Sequence, residues 1–249
     1  MTFQKTIPRI QARGNRFSHQ FVDGGGHDVV PAREVLMRRK GRIVLLLLVM
    51  LTALVQCKKA EENNPENPGK NLGDLTVVFV GASITENWDF SHYFPGYKFH
   101  KVIHYDWDKT QVWGQVQALH PDIVLVKECG AYFYTDGGTP LGEFESSVQS
   151  MVSSIRSLGA IPVLCTTLPV DVGHGDCTTA QLNDIRTFND WVRSYCSSQG
   201  IVLMDYYQRI ADASGQLPTA YHDGDGLHPN SAGYDVLSPL VIPTLQSAL

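Results

Sequence analysis

The sequence predicts an α/β fold, a three-layer α/β/α sandwich built around a mostly parallel, five-stranded sheet. The first observation is that short runs of apolar and β-branched residues alternate with amphipathic helical segments from residue 76 to the C-terminus. Such alternation is typical of parallel strands joined by crossover helices. The second is that the first run, residues 76–80, reads Thr-Val-Val-Phe-Val without a charge. An uncharged run of this kind favours a central strand that is buried on both faces.

The later elements follow the same alternation. The remaining predicted strands are residues 99–105, 123–127, 161–166 and 201–205. Apolar residues at helical spacing predict helices at residues 110–119, 143–158 and 181–197, and a last one from Asn230 onward. Gly159 and Gly200 are expected to end two of these helices. Pro239 and Pro243 should kink or segment the last helix.

The N-terminal part of the chain has the layout of an export signal. Residues 43–55 are 13 uncharged, mostly apolar residues that follow a basic cluster beginning at Arg38. The run is too short for an ordinary membrane span, and a secretory signal explains it better. Because it leads to Cys57, it resembles a bacterial lipoprotein signal with Cys57 as the lipidated first residue of the mature chain. A plain signal peptide or an uncleaved anchor is the alternative.

These features divide the chain into four parts. Residues 1–36 precede a complete signal and Met37, so they are interpreted as a non-native extension. Residues 37–57 are the signal, residues 58–73 a polar, flexible tether, and residues 74–249 one folded domain. The predicted location is outside the cytoplasm, on a bacterial membrane that faces the periplasm or the cell surface.

The charge balance excludes one class of partner. Residues 1–56 hold 9 basic and 3 acidic residues of the 20 and 25 in the chain, which leaves 11 basic and 22 acidic residues. The rest of the chain therefore has a net charge of −11. No basic surface would offset the phosphates of a nucleic acid, so no nucleic-acid partner is expected.

Three residues have the types needed for nucleophilic catalysis. Ser83 follows the first strand by two residues, at the carboxyl edge of the sheet where open α/β folds bind ligands. His228 can serve as its base, and Asp225 can orient that histidine. The alternatives are a helix-capping serine, a surface histidine and a turn-forming aspartate, and a backbone carbonyl could replace Asp225.

Gly-x-Ser-x-Thr after a first strand, together with Asp-x-x-His-Pro near the end, resembles the GDSL-type or SGNH hydrolase family. The resemblance covers the chain from about Asp74 to the C-terminus. It implies a flavodoxin-like three-layer fold and an acyl transfer in which Ser83 is the nucleophile, His228 the base and Asp225 its partner. It also implies backbone oxyanion donors, for which the counterparts here are the N–H groups of Ser83 and Trp107.

The sequence departs from that family at several positions. Ala82 stands where the family has Asp before the serine, and the loop after the second strand has no Gly. Ala131 takes the position of an Asn whose side chain is an oxyanion donor, so the oxyanion site is expected to be remodelled or weakened. Near this position, Glu128 is either a ligand for a substrate hydroxyl or a structural ion-pair partner. Further on, Tyr132 and Tyr134 either bind substrate or pack over the sheet.

No cofactor or metal is predicted. Two loops are rich in possible ligands without a recognised spacing: one contains His222, Asp223, Asp225 and His228, and the other His174, Asp176 and Cys177. Four cysteines remain if Cys57 is lipidated. They form a disulfide or stay as buried thiols: Cys129, Cys165, Cys177 and Cys196.

Two functions remain open at this stage. The first is a serine esterase or acylhydrolase that cleaves a small-molecule or carbohydrate ester, such as an acetyl or short acyl group on a sugar. The second is a lipoprotein with the same fold that binds carbohydrate or acyl groups with little or no catalysis. The missing Gly and Asn favour the second function, whereas Ser83, Asp225 and His228 favour the first.

Overall fold

The computed structural model describes residues 70–133 and 140–249. Their centre is a five-stranded sheet with the strand order β2-β1-β3-β4-β5, in which all neighbouring strands are parallel. The strands are β1 (Thr76–Gly81), β2 (Lys98–Ile103), β3 (Ile123–Lys127), β4 (Ile161–Cys165) and β5 (Val202–Met204). The predicted fold class is therefore confirmed.

Helices lie on both faces of this sheet. The α-helices of the described residues are α1 (Ser83–Asn87), α2 (Phe90–Tyr93), α3 (Trp113–Ala118), α4 (Leu141–Ser157), α5 (Thr179–Gln199), α6 (Tyr206–Ile210) and α7 (Ser231–Gln246). Short 3-10 helices cover Leu72–Asp74, Lys109–Val112, Gly130–Tyr132 and Thr219–Tyr221. Within the described residues, no helix has the length and apolar character needed to cross a membrane.

The central strand β3 shows why the fold has three layers. Val124 and Val126 belong to a core cluster that contains buried residues of α3, α4 and α5. Ile123 and Leu125 belong to a second cluster that contains residues of α1, α6 and α7. Successive side chains of a strand point to opposite faces, so β3 contributes to both cores. Each such fully buried side chain stabilises the fold by about 1.5–3 kcal/mol.

The end of β5 and the start of α5 differ from their predicted positions because polar side chains cap the neighbouring helices. Strand β5 stops at Met204, because Asp205 is the N-cap of α6 and its carboxylate accepts the N–H of Gln208. Helix α5 begins earlier than predicted, since the Thr178 hydroxyl and the Gln181 side chain form a capping box.

Helix α7 is continuous from Ser231 to Gln246, although it contains Pro239 and Pro243. The predicted alternatives were a kink or a break, and the break does not occur. A proline has no N–H for the carbonyl four residues earlier, so the carbonyls of Asp235 and Pro239 lack a helical donor. These two residues and Pro243 are exposed, so water can bind the two carbonyls. The opposite face packs Leu237 and Val241 into the core.

Candidate active site

Ser83 lies at the junction of β1 and α1. Gly81 is the last residue of β1, and a Cβ there would collide with the Thr85 side chain, so a glycine is needed for the tight turn. Ala82 occupies the N-cap position and makes no side-chain cap bond. Ser83 is therefore not the N-cap of α1. Its hydroxyl instead meets the imidazole of His228, with an Oγ to Nε2 distance of 2.8 Å across 145 residues of sequence.

His228 and Asp225 lie on a loop that closes on itself before α7. His222 and Pro229 form an antiparallel bridge, and the Asp223 N–H donates to the His228 carbonyl at 3.0 Å. Within the loop, Asp225 Oδ1 accepts the backbone N–H groups of Leu227 and His228, both at 2.9 Å. These bonds fix the carboxylate with its second oxygen free for the imidazole.

That second oxygen completes a chain of three side chains. Asp225 Oδ2 lies 2.5 Å from His228 Nδ1. Because a carboxylate only accepts, Nδ1 carries the proton and Nε2 is the acceptor that faces Ser83. Burial alone raises the pKa of Asp225, but the bonds from His228 and Leu227 outweigh it and hold that pKa below its usual value. The arrangement can take a proton from Ser83 and stabilise the imidazolium that results.

The predicted oxyanion donor at Trp107 is not supported. Its backbone N–H donates to Asp106 Oδ1 at 2.6 Å, and its ring packs 6.0 Å from the ring of Phe144. An N–H that is already bound to a carboxylate is not available for an oxyanion. The other predicted donor, the N–H of Ser83, is in the first turn of α1, where backbone N–H groups have no helical acceptor.

The surroundings of Glu128 favour the predicted ion pair over substrate binding. Its side chain is 1% exposed and lies 3.7 Å from the ammonium of Lys109, which is fully buried. Burial raises the pKa of Glu128 to about 7, although Lys109 and Lys127 oppose that rise. Of the two predicted roles, this enclosure favours the structural ion pair over contact with a substrate hydroxyl.

Two further predictions concern aromatic residues. Tyr132 is partly buried, and its ring packs under the Lys109 ammonium at 5.2 Å and against the core. These contacts favour packing over substrate binding for Tyr132. Tyr134 lies outside the described residues, as does Cys57. Cysteines 129, 165, 177 and 196 are all buried, free thiols.

A second Asp–His pair was missed by the sequence analysis. Asp171, His174 and His222 offer three possible ligand atoms within 4.8 Å of one another. However, His222 Nδ1 accepts the N–H groups of Gly224 and Gly226 at 2.9 and 3.1 Å. Nε2 must then carry the proton of the neutral ring, and it donates this proton to Asp171 Oδ2 at 3.0 Å. A protonated nitrogen has no lone pair for a metal, so the contacts favour a hydrogen-bonded cluster. No sequence spacing links Asp171 to a histidine 51 residues away.

Two cavities adjoin the loop of His228. One of about 280 Å³ lies beside Asp225, and its lining does not include Ser83 or His228; it is lined by Ala131, Gly175, Asp176, Cys177, Gln181, Asp225 and Leu227. The other, of about 500 Å³, lies between the α1–α2 segment and the start of α7, and its lining includes Asn87, Tyr93 and Asp223. The smaller one is below the usual 300–1,000 Å³ of drug-sized pockets.

Comparisons with known proteins show the family and the fold of this chain. Residues 79–236 match the model of the GDSL-like Lipase/Acylhydrolase family. No curated protein matches the chain. Among solved structures, an acylhydrolase candidate from Bacteroides fragilis is similar at 25% identity and a TM-score of 0.62, over 75% of this chain and 93% of that one.

Two other structures are similar in fold. A GDSL-like lipase from Bacteroides thetaiotaomicron has 20% identity and a TM-score of 0.62, over 77% of this chain and 98% of that one. A catalytic mutant of Axe2, an acetylxylan esterase from Geobacillus stearothermophilus, has 15% identity and a TM-score of 0.56, over 69% of this chain and 94% of that one. Since the family model spans well over half of the sequence and includes both Ser83 and His228, the chain belongs to the GDSL-like lipase/acylhydrolase family.

Proposed function

We propose that this protein is a serine esterase that cleaves a small ester through an acyl-serine intermediate. The observation that carries the proposal is the unbroken chain from Ser83 Oγ through the His228 imidazole to the Asp225 carboxylate, with contacts of 2.8 and 2.5 Å. A nucleophile, a base and a group that orients the base are what acyl transfer to a serine needs.

The reaction follows from the positions of the protons. His228 Nε2 takes the hydroxyl proton while Ser83 Oγ attacks the ester carbonyl carbon. The tetrahedral intermediate collapses as His228 gives this proton to the leaving alcohol oxygen, and an acyl-serine remains. Because the His228 side chain is 28% exposed, water can reach the imidazole. His228 then takes a proton from that water, the hydroxide attacks the acyl-serine, and the carboxylic acid leaves as Ser83 recovers its proton.

The oxyanion of the intermediate is assigned to the N–H of Ser83. Removal of one such donor usually costs about 3–4 kcal/mol of transition-state stabilisation. Trp107 contributes no free N–H, and Ala131 has no donor in its side chain. We therefore expect slower turnover than in relatives that have a complete set of donors.

The substrate class we propose is an acetyl or short acyl ester, with a carbohydrate as the alcohol. One comparison supports it. Axe2, one of the structures with this fold, is an acetylxylan esterase.

The alternative is a carbohydrate- or acyl-binding protein in which catalysis is weak or lost. The bond between the Trp107 N–H and the Asp106 carboxylate favours it, because it removes one of the two named oxyanion donors.

A fluorophosphonate probe separates the two functions. It reacts with an activated serine even where turnover is slow, and the labelled peptide can be identified by mass spectrometry. We expect labelling of the wild type at Ser83 and none in Ser83→Ala. Ser150→Ala, which removes an exposed hydroxyl on α4, should label as the wild type does. The wild type and Ser150→Ala should hydrolyse p-nitrophenyl esters, and Ser83→Ala should not. Among acetate, butyrate and octanoate, the acetate should be cleaved fastest. Equal hydrolysis by the wild type and Ser83→Ala would leave only the binding function.

We also propose that the protein is exported and held on a bacterial membrane by a lipid on Cys57. The basic cluster, the 13-residue apolar run and the cysteine that follows support this assignment. Under it, residues 37–57 contain the signal, residues 58–73 form the tether and residues 1–36 are not part of the native precursor. A precursor peptide from before Met37 in the native organism would contradict the last point.

A further inference from the structure

His222 holds both sides of Asp225 through one nitrogen. The side chain is fully buried, and its Nδ1 accepts N–H groups from Gly224 at 2.9 Å and Gly226 at 3.1 Å. These two glycines are the direct neighbours of Asp225. Both have positive φ angles, +93° and +75°, which an ordinary side chain rarely adopts. The backbone on each side of the proposed catalytic carboxylate is therefore fixed by the same acceptor.

Asp171 anchors that histidine to the segment after β4. Its Oδ2 accepts His222 Nε2–H at 3.0 Å and the Thr219 hydroxyl at 2.8 Å, while its own N–H donates to the Gly226 carbonyl at 2.8 Å. The loop that bears Asp225 is thus bound to Asp171 through a side chain and directly through the backbone. Residues 162–170, which lead from β4 to Asp171, are all buried, so the anchor directly follows a buried segment.

We propose that Asp171 and His222 form a second Asp–His pair whose task is to position Asp225 against His228. The proposal rests on the proposed esterase function and adds two positioning residues to it. Neither residue contacts the reacting atoms. The pair acts because a carboxylate displaced by about 1 Å no longer orients the imidazole, and displacements of that size cost about 100-fold in rate.

We call Asp171 and His222 together the clamp. Its two halves, the acceptance of the glycine N–H groups by His222 Nδ1 and the donation by His222 Nε2 to Asp171, can be separated by matched substitutions. In His222→Asn, the amide oxygen takes the place of Nδ1 and can accept both glycine N–H groups, but the side chain does not reach Asp171. In His222→Gln, the amide nitrogen takes the place of Nε2 and can donate to Asp171, but nothing replaces Nδ1. His100→Gln is the control, because His100 is an exposed histidine on the edge strand β2.

We expect His222→Gln to lower kcat by about 100-fold with little change in KM for p-nitrophenyl acetate. Asp225 stabilises the protonated form of His228, so its displacement should also move the acidic limb of the kcat/KM profile to lower pH. His222→Asn should keep most of the activity and the position of that limb, and His100→Gln should match the wild type. A merely structural role would lower the amount of folded enzyme without moving the pH profile.

A second measurement does not depend on turnover. The proton between His228 Nδ1 and Asp225 should give a strongly downfield signal in NMR spectra of ¹⁵N-histidine-labelled protein. We expect the signal to move upfield or broaden in His222→Gln and to stay in place in His222→Asn. An unchanged signal in both variants, or equal losses in both, would overturn the proposal. If the wild type neither hydrolyses esters nor labels at Ser83, the esterase function fails, while the NMR signal still tests the clamp.

A bound metal gives a different pattern. If Asp171, His174 and His222 held Zn²⁺, purified wild-type protein would contain stoichiometric zinc by elemental analysis, and a chelator that removed the zinc would lower activity. Either result would overturn the assignment of His222 as a hydrogen-bonded clamp.

Discussion

The substitution Asp225→Asn tests the proposed catalytic chain with little change to the fold. Asp225 Oδ1 accepts two backbone N–H groups at 2.9 Å, and an asparagine can keep both bonds with its amide oxygen. What changes is the other atom, which lies 2.5 Å from His228 Nδ1. An NH₂ group there donates where the carboxylate accepted, so the imidazole must take the tautomer with its proton on Nε2. That nitrogen can no longer accept the proton of Ser83.

The size of the effect follows from this change of tautomer. The same exchange in other Ser–His–Asp sites lowers kcat by about 10⁴-fold, or about 5 kcal/mol at 1.36 kcal/mol for each factor of ten. We expect a loss of this order in kcat for p-nitrophenyl acetate, with KM and the melting temperature close to the wild type. Asp223→Asn removes a charge from an exposed position on the same loop and is the matched control. If Asp225→Asn stayed within about ten-fold of the wild type while Asp223→Asn did the same, Asp225 would not be the group that sets the tautomer of His228.

Three other predictions address stability and anchoring. Burial raises the pKa of Glu128 from 4.5 to about 7, so the folded state holds that proton more tightly than the unfolded chain. This difference contributes about 3 kcal/mol to the free energy of unfolding below about pH 4.5, and the contribution is lost as the pH rises to about 7. Urea unfolding should show this loss in the wild type but not in Glu128→Gln. Gly81→Ala would place a Cβ 2.8 Å from Thr85 Cβ and should lower the free energy of unfolding by about 1–3 kcal/mol. Gly114→Ala, which meets no atom within 4 Å, should be neutral or stabilising. Melting temperatures that fall equally in both variants would contradict this. Cys57→Ser should abolish incorporation of an alkyne-labelled fatty acid and release the protein from membranes, and labelling that persists in the variant would place the lipid elsewhere.

Much of the fold could be predicted because the sheet is buried on both faces. The strand β3 matches its predicted bounds, Ile123–Lys127, since the apolar run of residues 123–126 between a proline turn and polar residues allows few alternatives. The ends of β5 and α5 differ from the prediction for a local reason. There the polar side chains of Asp205, Thr178 and Gln181 bind backbone N–H groups, and such caps are not visible in hydrophobic periodicity.

The roles of residues around the candidate site were harder to predict than their positions. Glu128 follows β3 at the edge where ligands bind, so a role in substrate binding was reasonable. Its environment depends on Lys109, which the 3-10 helix after β2 brings into the core with no exposed surface. No periodic pattern marks a lysine for burial, because burial of a charged residue is rare and depends on a partner that is distant in sequence.

The loop of residues 222–229 shows why a cluster of histidines and aspartates cannot be interpreted from residue types alone. In sequence, His222 and His228 look equivalent, each with aspartates nearby and each suited to metal or acid–base chemistry. The backbone makes them different. Two glycine N–H groups occupy Nδ1 of His222 and force its proton onto Nε2, whereas Asp225 holds the proton of His228 on Nδ1 and leaves Nε2 as a base. Only His228 therefore presents a lone pair to Ser83, and the same assignment argues against a metal shared by the two histidines.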